Sequence, residues 1–203
     1  MIRPVLVLVG PPASGKTTVG TAVAARLRVP FRDTDADVEA AAGTTVADLF
    51  ITHGEPRFRD LEEQAVARAI GEHDGVLALG GGAVLSAASR ALLVEYGRAG
   101  GTVVHLDVDL PSAARRAGFS RDRPLLAVNP RAMLRTLLEQ RAPLYAEVAT
   151  AVVPTGSRTP QDVVADVLAA LPAAAGGADR DVSIAARDER GAQRPAGATE
   201  VHG

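Results

Sequence analysis

The sequence predicts an α/β fold, a five-stranded parallel sheet flanked by helices, and three observations carry that prediction. Short apolar runs that read as buried strands alternate along the chain with segments of helical periodicity. The first of these runs ends in a glycine-rich turn that opens directly into a helix. The chain, 203 residues with 47% hydrophobic content, is also long enough for one domain with a full core.

Each element follows in order. Residues 2–9, IRPVLVLV, form a nearly continuous apolar run, as expected of a strand covered on both faces. A helix is predicted from about Lys16 to Leu27, with Val19, Val23 and Leu27 on one face. FRDTD, residues 31–35, reads as a second short strand ending in carboxylates. Short helices around DVEAAA and VADLF follow, broken at Gly43, and then a longer helix over 56–73. Pro56 lies near its start, and Phe58, Leu61, Ala65 and Ala69 face the core. GVLALGGG, residues 75–82, is a third strand running into a triple-glycine turn, and TVVHLDV, residues 102–108, is a fourth. Residues 115–130, polar and rich in Arg, Gly and Pro, suit a mobile segment. A helix from about Arg131 to Val148, which Pro143 should kink, precedes a last strand AVVPT and a helix from about Pro160 to Leu171.

The folded domain is therefore expected to span 1–172. Residues 173–203 carry only three large aliphatic side chains, too few to offset chain entropy, and are expected to form a disordered tail. No apolar run approaches the roughly 20 residues of a membrane span, and the N-terminus lacks the layout of a signal peptide. With no cysteine there are neither disulfides nor thiolate metal sites, so a cytoplasmic location is expected. The net charge of −2 provides no broad basic face, which argues against nucleic acid as a partner, and no membrane partner is expected. The expected working unit is a monomer.

GPPASGKTT, residues 10–18, fits G-x-x-x-x-G-K-[ST] and is the strongest signal in the chain. Its glycines let backbone N–H groups turn around nucleotide phosphates, and the following helix presents its N-terminus to the same charge. The expected nucleotide contacts are Ala13, Ser14, Gly15, Lys16, Thr17 and Thr18, with the Thr17 hydroxyl on Mg²⁺. Of the 22 basic residues, Lys16 is the only lysine, and it stands where a compact ammonium suits the outer phosphates better than a guanidinium fork. Ala13 occupies a position often held by glycine, and a positive φ there would add roughly 1 kcal/mol of strain.

Asp33 and Asp35 flank Thr34, so an extended segment would aim both carboxylates to one side, into the crevice where open α/β sheets bind ligands. One could hold Mg²⁺ through water while the other takes a proton from an acceptor hydroxyl. Asp37 is better read as a helix cap. Arg59 and Glu62 share a helical face and, taken alone, are an ordinary surface ion pair. The glycines at 80–82 suit a ligand approaching bare N–H groups or a flexible turn. Arg121 and Arg123 fall in the mobile segment, where a closing arginine could exclude water and stabilise charge. Arg141, in QRAPLY, is by itself a helix-surface arginine.

These pieces gain meaning from their order. Across about residues 3–171 the chain resembles the shikimate kinase family, through GPPASGKTT, DTDADVE, GEPRFRDLEE, LALGGGAV, RDRPLL and QRAPLY. The resemblance implies a P-loop, nucleoside-monophosphate-kinase-like three-layer fold that transfers the ATP γ-phosphate to the 3-hydroxyl of shikimate, with Mg²⁺, in aromatic amino acid biosynthesis. It implies that Asp35 binds the acceptor hydroxyls and assists deprotonation, and that Asp33 is a Mg²⁺ group acting at one remove. Arg59 and Arg141 would clamp the carboxylate, with Glu62 orienting Arg59 and Gly80, Gly81 and Gly82 lining that end. Arg123 would reach the phosphates from a lid over about 115–128, Arg116 would lie near the adenine, and Arg158 would match an adenine-side arginine. Lys16, Asp35 and Arg123 form the implied catalytic set. A kinase of another small hydroxy acid such as gluconate is the alternative enzyme, and a nucleotide-dependent switch the alternative outside catalysis. Two arginines with GGG favour shikimate over gluconate, and Asp35 counts against a switch.

Overall fold

The computed structural model describes residues 4–118 and 130–172. Five strands, β1 (Leu6–Val9), β2 (Phe31–Asp33), β3 (Val76–Ala78), β4 (Val103–Asp107) and β5 (Ala151–Pro154), form one parallel sheet in the order β2-β3-β1-β4-β5. The all-apolar β1 takes the centre, with Leu8 opposite Ala78 on one side and Val104 on the other. Side chains alternate along a strand, so β1 feeds two cores. Leu6 and Leu8 join Val19, Val23, Val163 and Val167 beneath helices α1 (Lys16–Leu27) and α7 (Pro160–Ala169). Val7 and Val9 join Val66, Leu93 and Tyr145 beneath α3 (Val46–Glu72), α4 (Ala87–Arg98) and α6 (Pro130–Val148). Each fully buried Val or Leu contributes about 1.5–3 kcal/mol, so stability resides in these two layers and the strand ends are free to carry polar chemistry. Helices α2 (Thr34–Ala42) and α3 enclose a smaller core of Val38, Leu49, Phe58, Leu61 and Ala65 beside the sheet.

The predicted fold class is the observed one, with local differences. The second strand stops at Asp33 rather than Asp35, because the Asp33 carboxylate accepts from the Asp35 N–H at 3.1 Å and thereby caps α2. Asp35 therefore stands in the first turn of a helix and not in an extended segment. Capping falls to Asp33, while Asp37 takes a hydrogen bond from Arg32 Nε at 2.8 Å. Gly43, at φ 66°, ends α2 as expected. The two helices predicted over VADLF and 56–73 form one segment, α3, broken at Gly54 (φ 79°, ψ 170°). The third strand is three residues long, since the backbone after Ala78 turns away into the glycines and a 3₁₀ turn over Ala83–Leu85. Helices α4 and α5 (Leu110–Arg116) went unpredicted, and α6 contains Pro143. No helix among the described residues is long and apolar enough to cross a membrane. Residues 119–128 of the predicted lid and the predicted tail lie outside the described residues.

Candidate active site

In a parallel sheet all C-terminal strand ends share one edge, and here the register gathers the predicted motifs along it. Gly10 follows β1, Asp33 ends β2 opposite Ala78 of β3, and Gly80 lies two residues beyond that alanine. Asp107, at the end of β4, pairs with Pro154, bringing Thr155 and Gly156 to the same edge.

The phosphate loop joins β1 to α1. Gly15 adopts φ 98° and Ala13 φ 63°, so the alanine takes the left-handed conformation that glycine adopts at no steric cost. Lys16 folds back over the loop, donating to the carbonyls of Gly10 (2.8 Å) and Pro11 (3.0 Å). Burial holds its pKa down to about 8, against the opposing pull of the Asp35 and Asp33 carboxylates. Thr17 Oγ1 donates to Asp33 Oδ2 at 3.0 Å. This hydroxyl–carboxylate pair, facing the cleft, fits a hard cation that takes oxygen ligands. No cluster of three or more His, Cys, Asp or Glu side chains suited to a metal occurs among the described residues.

A cleft of about 300 Å³ opens above Lys16 and Thr17, with Asp33, Asp35 and Gly81 in its walls. A second, of about 460 Å³, shares Gly15 and Thr18 with it and extends over Ser14 to Arg116, Thr155 and Arg158. The phosphate loop thus lies between two compartments.

The triple glycine organises the first compartment. A Cβ on Gly80 would stand 2.5 Å from both Asp35 Oδ1 and Glu62 Oε1, so the two carboxylates meet over that bare backbone. Burial, reinforced by the Asp33 carboxylate, raises the Asp35 pKa. Burial likewise raises that of Glu62 against its hydrogen bond from Arg59. A Cβ on Gly82 would lie 1.8 Å from Arg59 Nη1. Arg59 donates to Glu62 Oε2 at 2.6 Å and to Glu55 Oε1 at 2.9 Å, and lies over the Phe58 ring at 5.0 Å. Glu62 Oε1 is buried with no hydrogen-bond partner among the described residues. The Gly81 carbonyl accepts from Arg141 Nη1 at 2.9 Å. Asp35, Arg59 and Arg141, from α2, α3 and α6, are therefore gathered around one turn of three glycines next to Lys16.

In the second compartment Arg116 is committed to protein acceptors. It donates to the carbonyls of Ala13 (3.3 Å), Ser14 (3.5 Å), Thr155 and Gly156 (2.9 Å), bracing the phosphate loop against the loop after β5. Arg158 lines the same cleft and pairs with Asp166. Arg123 lies outside the described residues. Three contributors lay inside quoted segments but received no role from the sequence. Glu55 and Tyr145 stand four residues from Arg59 and Arg141 on the same helices, a spacing that could have identified them. Thr155 reaches the site only through the β4–β5 register, for which the sequence holds no local signal.

Comparison with known proteins gives the family and the fold. The family model described as "Shikimate kinase" matches residues 12–172. A shikimate kinase of Salinispora arenicola is 58% identical over 172 residues, covering 85% of this chain and 100% of that protein. One from Frankia casuarinae is 57% identical over 178 residues, 87% of this chain and 76% of the relative. Among solved structures, shikimate kinase from Acinetobacter baumannii in complex with shikimate superposes with a TM-score of 0.73 at 35% identity, covering 83% of this chain and 92% of that one. A gluconokinase from Sinorhizobium meliloti, at 22% identity and a TM-score of 0.53, shares the fold alone. With its phosphate loop, glycine turn and paired arginines inside a match that spans most of its length, this chain belongs to the shikimate kinase family.

Proposed function

We propose that this protein transfers the γ-phosphate of ATP to the 3-hydroxyl of shikimate, giving shikimate 3-phosphate for aromatic amino acid biosynthesis. One observation carries the reading. A carboxylate (Asp35) and two guanidinium groups (Arg59 and Arg141) surround the Gly80–Gly82 turn on the acceptor side of a phosphate loop.

The residues divide the work. Ala13, Ser14, Gly15, Lys16, Thr17 and Thr18 hold the nucleotide, with the Lys16 ammonium released from the Gly10 and Pro11 carbonyls to the phosphates. Arg59 and Arg141 grip the acceptor carboxylate, and Gly80, Gly81 and Gly82 let it approach the backbone. Asp35 accepts the proton of the 3-hydroxyl as its oxygen bonds to the γ-phosphorus and ADP departs. A carboxyl pKa raised by burial and by Asp33 makes it a stronger base than an exposed aspartate. Glu62 holds Arg59, and its second oxygen remains an acceptor on the acceptor side. Thr17 and Asp33 would hold Mg²⁺, which, when bound, neutralises charge on the outer phosphates. Arg116 and Arg158 shape the adenine compartment, and Arg123 completes the charge around the phosphoryl group.

The test is a panel of hydroxy acids with Mg·ATP, reading ADP release. Shikimate should give the highest kcat/KM, well above gluconate. Faster turnover of gluconate would transfer the reading to the alternative acceptor, and ADP release without any acceptor dependence would point to a switch.

A further inference from the structure

Tyr145 closes the QRAPLY motif, yet the mechanism above gives it no task. It is buried, and its hydroxyl donates to the Gly81 carbonyl at 2.7 Å, the same oxygen that takes Arg141 Nη1 at 2.9 Å. The two donors are one turn apart on α6. Gly81 is wedged between α6 and the phosphate loop, since a Cβ there would lie 2.9 Å from Pro12 Cδ.

The arrangement has a chemical logic. A carbonyl oxygen has two lone pairs, and in the substrate-free protein both are satisfied, one of them by a guanidinium that must also serve an incoming carboxylate. If Arg141 were the sole donor, its departure would leave a half-buried acceptor without a protein partner and tax binding accordingly. The phenol removes the penalty. Its ring is stacked on His105, with centroids 4.8 Å apart and planes at 21°, so it cannot swing away with the arginine. Burial pushes its pKa up to about 12, and it remains a neutral donor at any working pH. We propose that Tyr145 is a positioning residue for acceptor binding, which keeps the Gly81 carbonyl hydrogen-bonded while Arg141 turns from that carbonyl to the acceptor carboxylate. The role rests on the shikimate kinase reading above and deepens it: occupancy of the acceptor site becomes a hand-over between two donors on one helix.

Steady-state kinetics of Tyr145→Phe test it, because phenylalanine keeps the ring and its stacking and removes only the hydroxyl, with its bonds to the Gly81 carbonyl and to Arg141. The KM for shikimate should rise about three- to tenfold, the value of one neutral hydrogen bond, while kcat, the KM for ATP and the melting temperature stay at wild-type levels. In an Arg141→Ala background the effect should vanish. With no arginine to hand over, the Tyr145 hydroxyl is needed equally with and without acceptor, so kcat/KM of Arg141→Ala and of the double variant should coincide. An unchanged KM in Tyr145→Phe overturns the role. So does a joint fall in kcat, ATP affinity and melting temperature, which marks a packing residue, and so does an undiminished penalty in the Arg141→Ala background. A wild-type chain that fails to phosphorylate shikimate removes the functional reading and this role together, whereas an active wild type with an indifferent Tyr145→Phe removes the role alone.

Discussion

Lys16 and Asp35, both in the cleft, are shifted from their ordinary ranges, and both shifts predict behaviour. Lys16 is held down to about 8 by burial, so near pH 8 about half of the substrate-free molecules carry it uncharged. Nucleotide phosphates favour the ammonium, and binding at that pH should take up as much as half a proton per site. Titration of ADP in buffers of different ionisation enthalpy measures this directly. Buffer-independent heats at pH 8 would contradict it, and the uptake should fade towards pH 6.5, where the lysine is already charged. The linkage has a definite sign. The folded pKa lies below the unfolded value of 10.5, so this group penalises the free protein at neutral pH, and the penalty disappears as pH rises from about 8 to about 10. Asp35 is shifted upward, in keeping with a base. Asp35→Asn should leave nucleotide binding nearly intact and slow transfer by at least about 10²-fold, and undiminished shikimate-dependent ADP release would remove its assigned role.

At the scale of elements, the turn after β3 does more than connect. Its residues are small because other parts of the site occupy the space that side chains would fill. Gly82 provides the cleanest case. Its φ of −99° is open to any residue, so an alanine there meets no backbone strain. It meets Arg59 instead, 1.8 Å from Nη1 and 2.7 Å from Cζ. Gly82→Ala should displace that guanidinium, raise the KM for shikimate by about 10- to 100-fold and leave the melting temperature and ATP KM nearly unchanged. A normal shikimate KM would mean that Arg59 does not serve the acceptor. The α2 boundary carries a related lesson. DTD predicted that Asp33 and Asp35 share one crevice, and both do line the cleft, but on the wrong geometric ground. They share the cleft because Asp33 caps the helix that presents Asp35, and not because a strand alternates.

Among the described residues, two hydrophobic layers cover the sheet, a smaller core lies beside it, and the polar chemistry of the site gathers at the edge formed by the C-terminal strand ends. Ligands that bind this edge stabilise the folded state by mass action. At about 100-fold excess over its dissociation constant, ADP should add about 2.7 kcal/mol, which for a domain of this size raises the melting temperature by roughly 5–10 °C. No shift with nucleotide would argue that the phosphate loop is not competent as folded. Much of this architecture was legible beforehand. The apolar run of β1, the glycines and lone lysine behind it, and the alternation of strands and helices determined the fold class and the nucleotide side. Helices α4 and α5 were not legible. The first is half polar around its short apolar face, and the second is only seven residues long.

By itself the sequence determined the chemical inventory, namely a phosphate loop, a carboxylate pair, two arginines and three glycines in an order that resembles one kinase family. Local chemistry and spacing suffice for that, because each motif is a few residues long. The tertiary structure alone decided which of them meet. Strand order and register bring β2, β3 and β1 side by side, so residues 35, 59 and 141, far apart along the chain, come to meet around the glycine turn at 80–82. It also decided that Arg116 braces the phosphate loop and that Tyr145 reaches Gly81. Such contacts arise from packing between distant segments, and no local pattern encodes them.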